Sequence, residues 1–140
     1  MTRRGLIDTG PLVAFIDGND AFHSWSVEAL AHFCSPLETC DAVIAEAWFL
    51  LGRAKRGRQT LIELLSARNL IVGFSLGPEA PSVLKLMMKY ADQPMSVANA
   101  CLVRMAELDK NAIIVTLDSD FSVYRRGRQP LKFVAPFKKV

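Results

Sequence analysis

The Ala112–Leu117 run most restricts the fold, because its Ile-Ile-Val centre has no polar side for water. A strand that needs cover on both faces belongs in a parallel sheet with helices above and below it. Gly5–Ile7 reads as a second such strand, and each of the two segments runs into an aspartate, Asp8 and Asp118. Between them helical periodicity recurs over Ala42–Arg53, Arg58–Ala67, Pro81–Ala91 and Val97–Leu108, with Asp41 and Ser96 placed as N-caps. Leu37–Cys40 and Leu70–Phe74 read as short strands, Leu131–Val134 as a last edge strand, and Gly73–Pro81 and Asp92–Pro94 as loops. The alternation predicts an α/β fold, a mostly parallel central sheet with right-handed crossovers. The chain has 140 residues, 51% of them hydrophobic, which suits one core and one domain over 1–140.

The Leu6–Ile16 stretch follows Arg3 and Arg4 as a secretory signal would, but Asp8 interrupts it and no small-residue cleavage site follows. No other apolar run approaches the roughly 20 residues that cross a bilayer, so no membrane association is expected. Cys34, Cys40 and Cys101 form neither an even set nor a CxxC pair, which argues against a disulfide framework or structural zinc and suits a reducing cytoplasm. Cys101, in an apolar helical stretch, is expected to be buried. The net charge of +3 is unevenly spread, with Arg53, Lys55, Arg56 and Arg58 in one cluster and Arg125, Arg126 and Arg128 in another. Such clusters serve either as solvated helix ends or as contacts to a phosphate-rich partner.

Asp8 and Asp118 fall at the carboxyl ends of their strands, the edge where open α/β sheets carry a ligand crevice. Helix capping explains each of them equally well, since Asp8-Thr9-Gly10-Pro11 and Asp118-Ser119-Asp120 are good capping sequences. Glu46 is the lone charge among the apolar residues of Ala42–Leu51. A helix apolar nearly all round is expected to be buried, where a carboxylate is costly unless it is paired, hydrogen-bonded or bound to metal. The alternatives are an arginine partner or escape to solvent. Asn99 is a lone amide within Val97–Val103, either functional or satisfied by a core hydrogen bond. Carboxylates converging without a counterion raise one another's pKa, and a cation relieves the repulsion. Oxygen ligands select Mg2+ or Mn2+, and the spacing that zinc or copper sites use is lacking. His23 and His32 are expected to play no catalytic part.

Four segments then show a family likeness. Leu6-Ile7-Asp8-Thr9-Gly10-Pro11-Leu12, Ala45-Glu46-Ala47, Asp92-Gln93-Pro94-Met95 leading into Ala98-Asn99-Ala100, and Thr116-Leu117-Asp118-Ser119-Asp120-Phe121 resemble PIN-domain motifs in order and spacing. The match is best to the VapC-type toxin ribonucleases and spans nearly the whole chain. The resemblance implies a three-layer α/β/α sandwich, a Mg2+ or Mn2+ site and hydrolysis of RNA phosphodiester bonds. Asp8, Glu46 and Asp118 match three acidic positions of the family and Asp120 a further one. Asn99 departs from the pattern by standing where the family usually carries an acid. An amide keeps one oxygen ligand but loses a charge, so cation affinity should fall. Three explanations stay open: Asp92 or Asp120 supplies the charge, the enzyme is slow, or the amide is an inactivating replacement, natural or introduced.

On this resemblance Asp8, Glu46, Asn99 and Asp118 form the catalytic set, and the same four with Asp120 hold the metal, Glu46 serving as ligand or general base. Thr9, Thr116, Arg53, Arg125 and Arg126 are expected to contact substrate. The implied partners are RNA, a cognate antitoxin whose tail fills the groove, and a second copy in a homodimer. Trp25, Trp48 and Phe49 are either contacts for such partners or core residues. Two other functions compete: a PIN-like module that binds RNA or protein without cleaving, and a different Mg2+-dependent phosphotransferase suggested by Asp8-Thr9-Gly10 through fold analogy alone.

Overall fold

A computed structural model describes residues 3–93 and 95–138. Pro94, part of the expected Asp92–Pro94 loop and of the third motif, lies outside them, as do residues 1–2 and 139–140. The strands are β1 (Gly5–Ile7), β2 (Leu37–Cys40), β3 (Leu70–Phe74), β4 (Ile113–Val115), β5 (Arg125–Arg126), β6 (Gln129–Pro130) and β7 (Phe133–Val134). The helices are α1 (Thr9–Ile16), α2 (His23–Leu30), α3 (Asp41–Leu50), α4 (Gly57–Ser66), α5 (Leu76–Lys89) and α6 (Val97–Leu108), with 3-10 turns at Leu51–Arg53 and Ser119–Ser122.

Five strands form one sheet in the order β3-β2-β1-β4-β7, and each neighbouring pair is parallel. All three β1 residues are buried, and Ile114 and Val115 have no exposed surface. Both sheet faces are therefore covered, as the Ile-Ile-Val run requires, and the fold is a mostly parallel α/β/α sandwich. Each fully buried Leu, Ile or Val of this layer contributes about 1.5–3 kcal/mol. β5 and β6 form a separate antiparallel hairpin.

Several expectations need correction. The Gly73–Pro81 segment is not a loop: Gly73 ends within β3, and α5 starts at Leu76. Pro78 falls in the first turn, where backbone N–H groups have no helical acceptor. Pro81 lies further in and forfeits one helical hydrogen bond, a cost offset by burial of Val83 and Leu86 on the same helix. Asp41 is the first residue of α3 rather than its cap; the N-cap position is Cys40, which makes no side-chain capping bond. α3 tightens into a 3-10 turn at Leu51, short of the expected end at Arg53. β4 stops at Val115 rather than Leu117; the Thr116 backbone N–H still reaches Val134 O at 3.1 Å, and its hydroxyl turns toward Asp8. α2 and the β5–β6 hairpin were not legible: α2 buries only Ser26 and Leu30 and so carries little periodicity.

α3 is also not buried all round. Val43 and Ala47 face the core, while Glu46, Trp48 and Phe49 are exposed, Phe49 by 76%. Burial therefore does not force a partner on Glu46. Trp25 packs partly against the core, and the expectation that Trp48 and Phe49 are core residues fails. Cys101 is buried as expected, and all three cysteines are free thiols.

Candidate active site

β1 and β4 are adjacent and parallel, with Gly5 opposite Ile113 and Ile7 opposite Val115. The residues that follow them, Asp8 and Asp118, therefore leave the same edge of the sheet. The Asp8 backbone N–H continues the ladder to Val115 O at 3.0 Å, and its extended backbone (φ −82°, ψ 167°) turns the chain into α1. Asp8 Oδ1 accepts from Thr9 N at 2.8 Å, so Asp8 is the N-cap of α1. Asp118 Oδ1 accepts from Asp120 N at 2.9 Å and caps the Ser119–Ser122 turn. Capping and site membership coexist in both residues, each of which keeps oxygen lone pairs beyond those that the caps use.

One hydroxyl ties the two acids together. Thr116 has no exposed surface; its Oγ1 donates to Asp8 Oδ2 at 2.7 Å and accepts from the Asp118 backbone N–H at 2.9 Å. Gly10 makes the close approach possible, since a Cβ there would stand 3.0 Å from Leu117 Cδ1 and 3.1 Å from Cγ. Asn99 reaches the same point from α6, whose cap is Ser96, accepting from Asn99 N at 3.0 Å. Asn99 Nδ2 donates to Asp118 Oδ2 at 3.1 Å and to the Tyr124 hydroxyl at 3.3 Å. Tyr124 is fully buried and packs edge-on against Phe121 and Tyr90. Sequence reasoning missed Tyr124, although its three-residue spacing from Phe121 was a usable sign of a shared face.

These side chains line a cleft of about 780 Å3, formed by Asp8, Thr9, Gly10, Glu46, Leu50, Met95, Ser96, Asn99, Leu117, Asp118 and Asp120. No lysine or arginine is among them. Burial raises the Asp8 carboxyl to about 6; the Thr116 hydroxyl and Thr9 N–H oppose the shift, and the charges of Asp118 and Glu46 add to it. Asp120 is also raised, by burial first and then by Asp118. Burial raises the Tyr124 hydroxyl as well, against the favourable contact with Asn99.

The expected residues divide into those that the cleft gathers and those that it does not. Asp8, Thr9, Glu46, Asn99, Asp118 and Asp120 line it, and Thr116 stands behind Asp8. Asp92 is exposed and is not a lining residue, whereas Asp120 is. Arg53, Arg125 and Arg126 do not line the cleft. Arg125 Nη1 donates to the carbonyls of Ser122, Val123 and Tyr124, and Arg126 Nε to Ala106 O at 3.1 Å. His23 Nδ1 sits 2.7 Å from Ala14 O, a structural contact away from the cleft.

The donor set is all oxygen, the chemistry of a hard divalent cation. The hydroxyl of Thr9, a cleft residue, is buried without a hydrogen-bond partner among the described residues and so has unmet capacity for a ligand. Among the described residues, no three His, Cys, Asp or Glu side chains are gathered closely enough to hold an ion by themselves. Asn99, beside Asp118, is where a third close carboxylate would stand. The residues fit a cation in kind, with one charge fewer than a full acidic set.

A PIN-domain family model matches residues 5–127, and the chain belongs to the PIN domain family. Among solved structures it is similar to the Mycobacterium tuberculosis toxin VapC20, described as cleaving the sarcin-ricin loop, at TM-score 0.75 and 18% identity over 85% of this chain and 93% of that one. It is also similar to VapBC2 from Rickettsia felis, solved bound to a DNA fragment from its promoter, at TM-score 0.63 and 17% identity over 94% and 97% of the two chains. At these identities the likeness establishes the fold. No curated protein matches the chain in sequence. Among the described residues no helix is long and apolar enough to cross a membrane.

Proposed function

We propose that this protein is an endoribonuclease that hydrolyses RNA phosphodiester bonds with the help of Mg2+ or Mn2+. The observation that carries the reading is the cleft itself, which Asp8, Glu46, Asp118 and Asp120 line together with Asn99 and with no basic side chain among the described lining residues. Asp8 and Asp118 are the residues to hold the ion, with Asn99 and Asp120 completing the set. A bound divalent cation supplies Lewis acidity toward the scissile phosphate and lowers the pKa of water within its reach. Thr116 keeps the Asp8 and Asp118 carboxyls in register through its two hydrogen bonds. Glu46, on the exposed face of α3, takes the proton from the attacking water as general base. Asp8 must lose its proton to bind a cation, so the affinity of the metal-free protein for Mn2+ should rise with pH through about 6. A Mn2+ affinity that does not change between pH 5 and 8 would contradict that assignment.

The structural neighbours, a VapC toxin and a VapBC pair, support reading this nuclease as the toxin of a toxin–antitoxin pair, and its free cysteines suit the cytoplasm. An antitoxin chain and a second copy of the nuclease are then its protein partners.

A second reading, a PIN-like module that binds RNA or protein without cleaving it, is favoured by Asn99, whose amide N–H satisfies Asp118 without any cation. RNA cleavage by the wild type with added metal separates the two, and Asn99→Asp measures what the amide costs. One more negative charge beside Asp118 favours a divalent cation by on the order of 1 kcal/mol, about fivefold in affinity. The variant should bind Mn2+ about fivefold more tightly by calorimetry and cleave RNA faster. Unchanged affinity and rate would mean that Asp120 already fills the role.

A further inference from the structure

We infer that the exposed face of α3 beside the cleft is a stacking platform for unpaired nucleotides, with Phe49 and Trp48 receiving bases and Arg53, Lys55 and Arg58 the backbone. The inference rests on the nuclease reading and adds to it the residues that grip the strand on one side of the scissile phosphate.

Helix geometry sets the order of these side chains. At about 100° per residue, Phe49 lies roughly 60° and Trp48 roughly 160° around α3 from Glu46, which lines the cleft. The exposed surface thus runs from the cleft across Phe49 to Trp48. Both rings are open to solvent, Phe49 by 76% and Trp48 by 42%. Large rings left exposed beside a polar cleft mark a contact surface.

The Trp48 end is built in place rather than simply uncovered. The Arg58 guanidinium lies 5.0 Å from the Trp48 ring centroid, and its Nε donates to Trp48 O at 2.8 Å. Gly52 leaves the room for it: a Cβ there would stand 2.6 Å from Arg58 Nη2. The fixed guanidinium covers part of the indole and keeps N–H donors available for phosphate.

Charge favours a nucleic acid strand over a protein segment as occupant. Residues 53–58 carry Arg53, Lys55, Arg56 and Arg58 and no acid. Arg56 pairs loosely with Glu63 at 3.7 Å, whereas no ion pair or hydrogen bond holds the side chains of Arg53 or Lys55 among the described residues. Unpaired cations that follow exposed rings by four to seven residues in the chain suit a single-strand binder, which puts cations on phosphates and bases on π-faces. A duplex keeps its bases stacked on one another and cannot use the rings.

The test is equilibrium binding in EDTA, which separates grip from cleavage. The host is Trp25→Phe, so that Trp48 is the only indole. The probe is a 12-nucleotide RNA, single-stranded or as a duplex. The single strand should quench Trp48 fluorescence and the duplex should not. Phe49→Ala in this host should weaken single-strand binding about tenfold, the loss that one stacked base gives. Full-length protein carrying Trp48→Ala should show a KM for single-stranded RNA raised about tenfold with kcat little changed. Equal quenching by the duplex, or unchanged affinity and KM in both variants, would overturn the platform. So would variants that keep their RNA affinity but no longer bind a protein partner, because the surface would then belong to that partner. Cleavage by the wild type with unchanged KM in Trp48→Ala would sink the platform and leave the nuclease standing. Quenching without any cleavage would do the reverse.

Discussion

Asp8→Asn is expected to lower metal-dependent RNA cleavage at least about a hundredfold, the scale of a group that acts on developing charge. It should also leave a folded protein whose stability in EDTA no longer falls between pH 4 and 8. Activity falls because the amide keeps the size of Asp8 but removes the charge that pairs with a cation beside Asp118. The wild type loses stability over this range because Asp8 is 7% exposed and its carboxyl is pushed up to about 6 in the folded chain, against about 4 when unfolded. The folded state binds more protons between those values. The corresponding stability is present in full below pH about 4 and is lost as the pH rises through about 6, a difference on the order of 3 kcal/mol. Melting curves in EDTA from pH 4 to 8 should show a downward trend in the wild type that Asp8→Asn lacks. Adding Mn2+ at pH 7.5 should raise the melting temperature of the wild type and leave the variant where it was. A variant that gains as much from Mn2+ as the wild type would place the ion elsewhere.

Thr116→Val is the other large effect. Valine matches threonine in shape, so packing at this fully buried position survives while both hydrogen bonds are lost. Asp8 loses the contact that most opposes the rise in its pKa, and the Asp118 N–H loses its acceptor. Leaving two buried polar groups without this partner costs roughly 1–3 kcal/mol each, less whatever water recovers. Partners that orient metal ligands are worth about 10–100-fold in affinity or activity, and a fall of that size is expected here. Thr116→Ser keeps the hydroxyl and should retain most of both. The check is kcat beside melting temperature for the two variants. A serine variant as impaired as the valine would show that shape, not the hydroxyl, is what Thr116 supplies.

What the sequence made legible follows from where the constraint is local. β1, β2, β3 and α6 lie where the apolar patterns placed them, because each is short, strongly patterned and bounded by a capping or turn residue. Asp8 and Asp118 could be placed at one sheet edge because Asp8 directly follows β1 and Asp118 lies three residues beyond β4. Glu46 entered the site for a reason that does not hold: α3 carries almost no polar residue, yet it is half exposed, and its apolar face does not mark its core face. Periodicity cannot separate a buried apolar helix from one that keeps rings open for a ligand. The Thr116 bridge and the Asn99–Tyr124 contact were invisible because they join residues distant in sequence, and no local pattern encodes which side of a turn a hydroxyl faces. The early start of α5 was hidden by Pro78 and Pro81, which read as loop residues unless one knows that the packing of Val83 and Leu86 holds the helix around them.

The central claim is that the Asp8–Asp118 cleft hydrolyses RNA when a divalent cation is present. Its most direct test is cleavage of a labelled single-stranded RNA by wild type and Asp8→Asn purified in parallel, each with Mn2+, with EDTA, and with EDTA followed by excess Mn2+. The account predicts cleavage by the wild type in Mn2+, none in EDTA, full recovery on adding Mn2+ back, and no more than background from the variant. Equal cleavage by the two proteins, or no cleavage by the wild type with either Mn2+ or Mg2+, would contradict it.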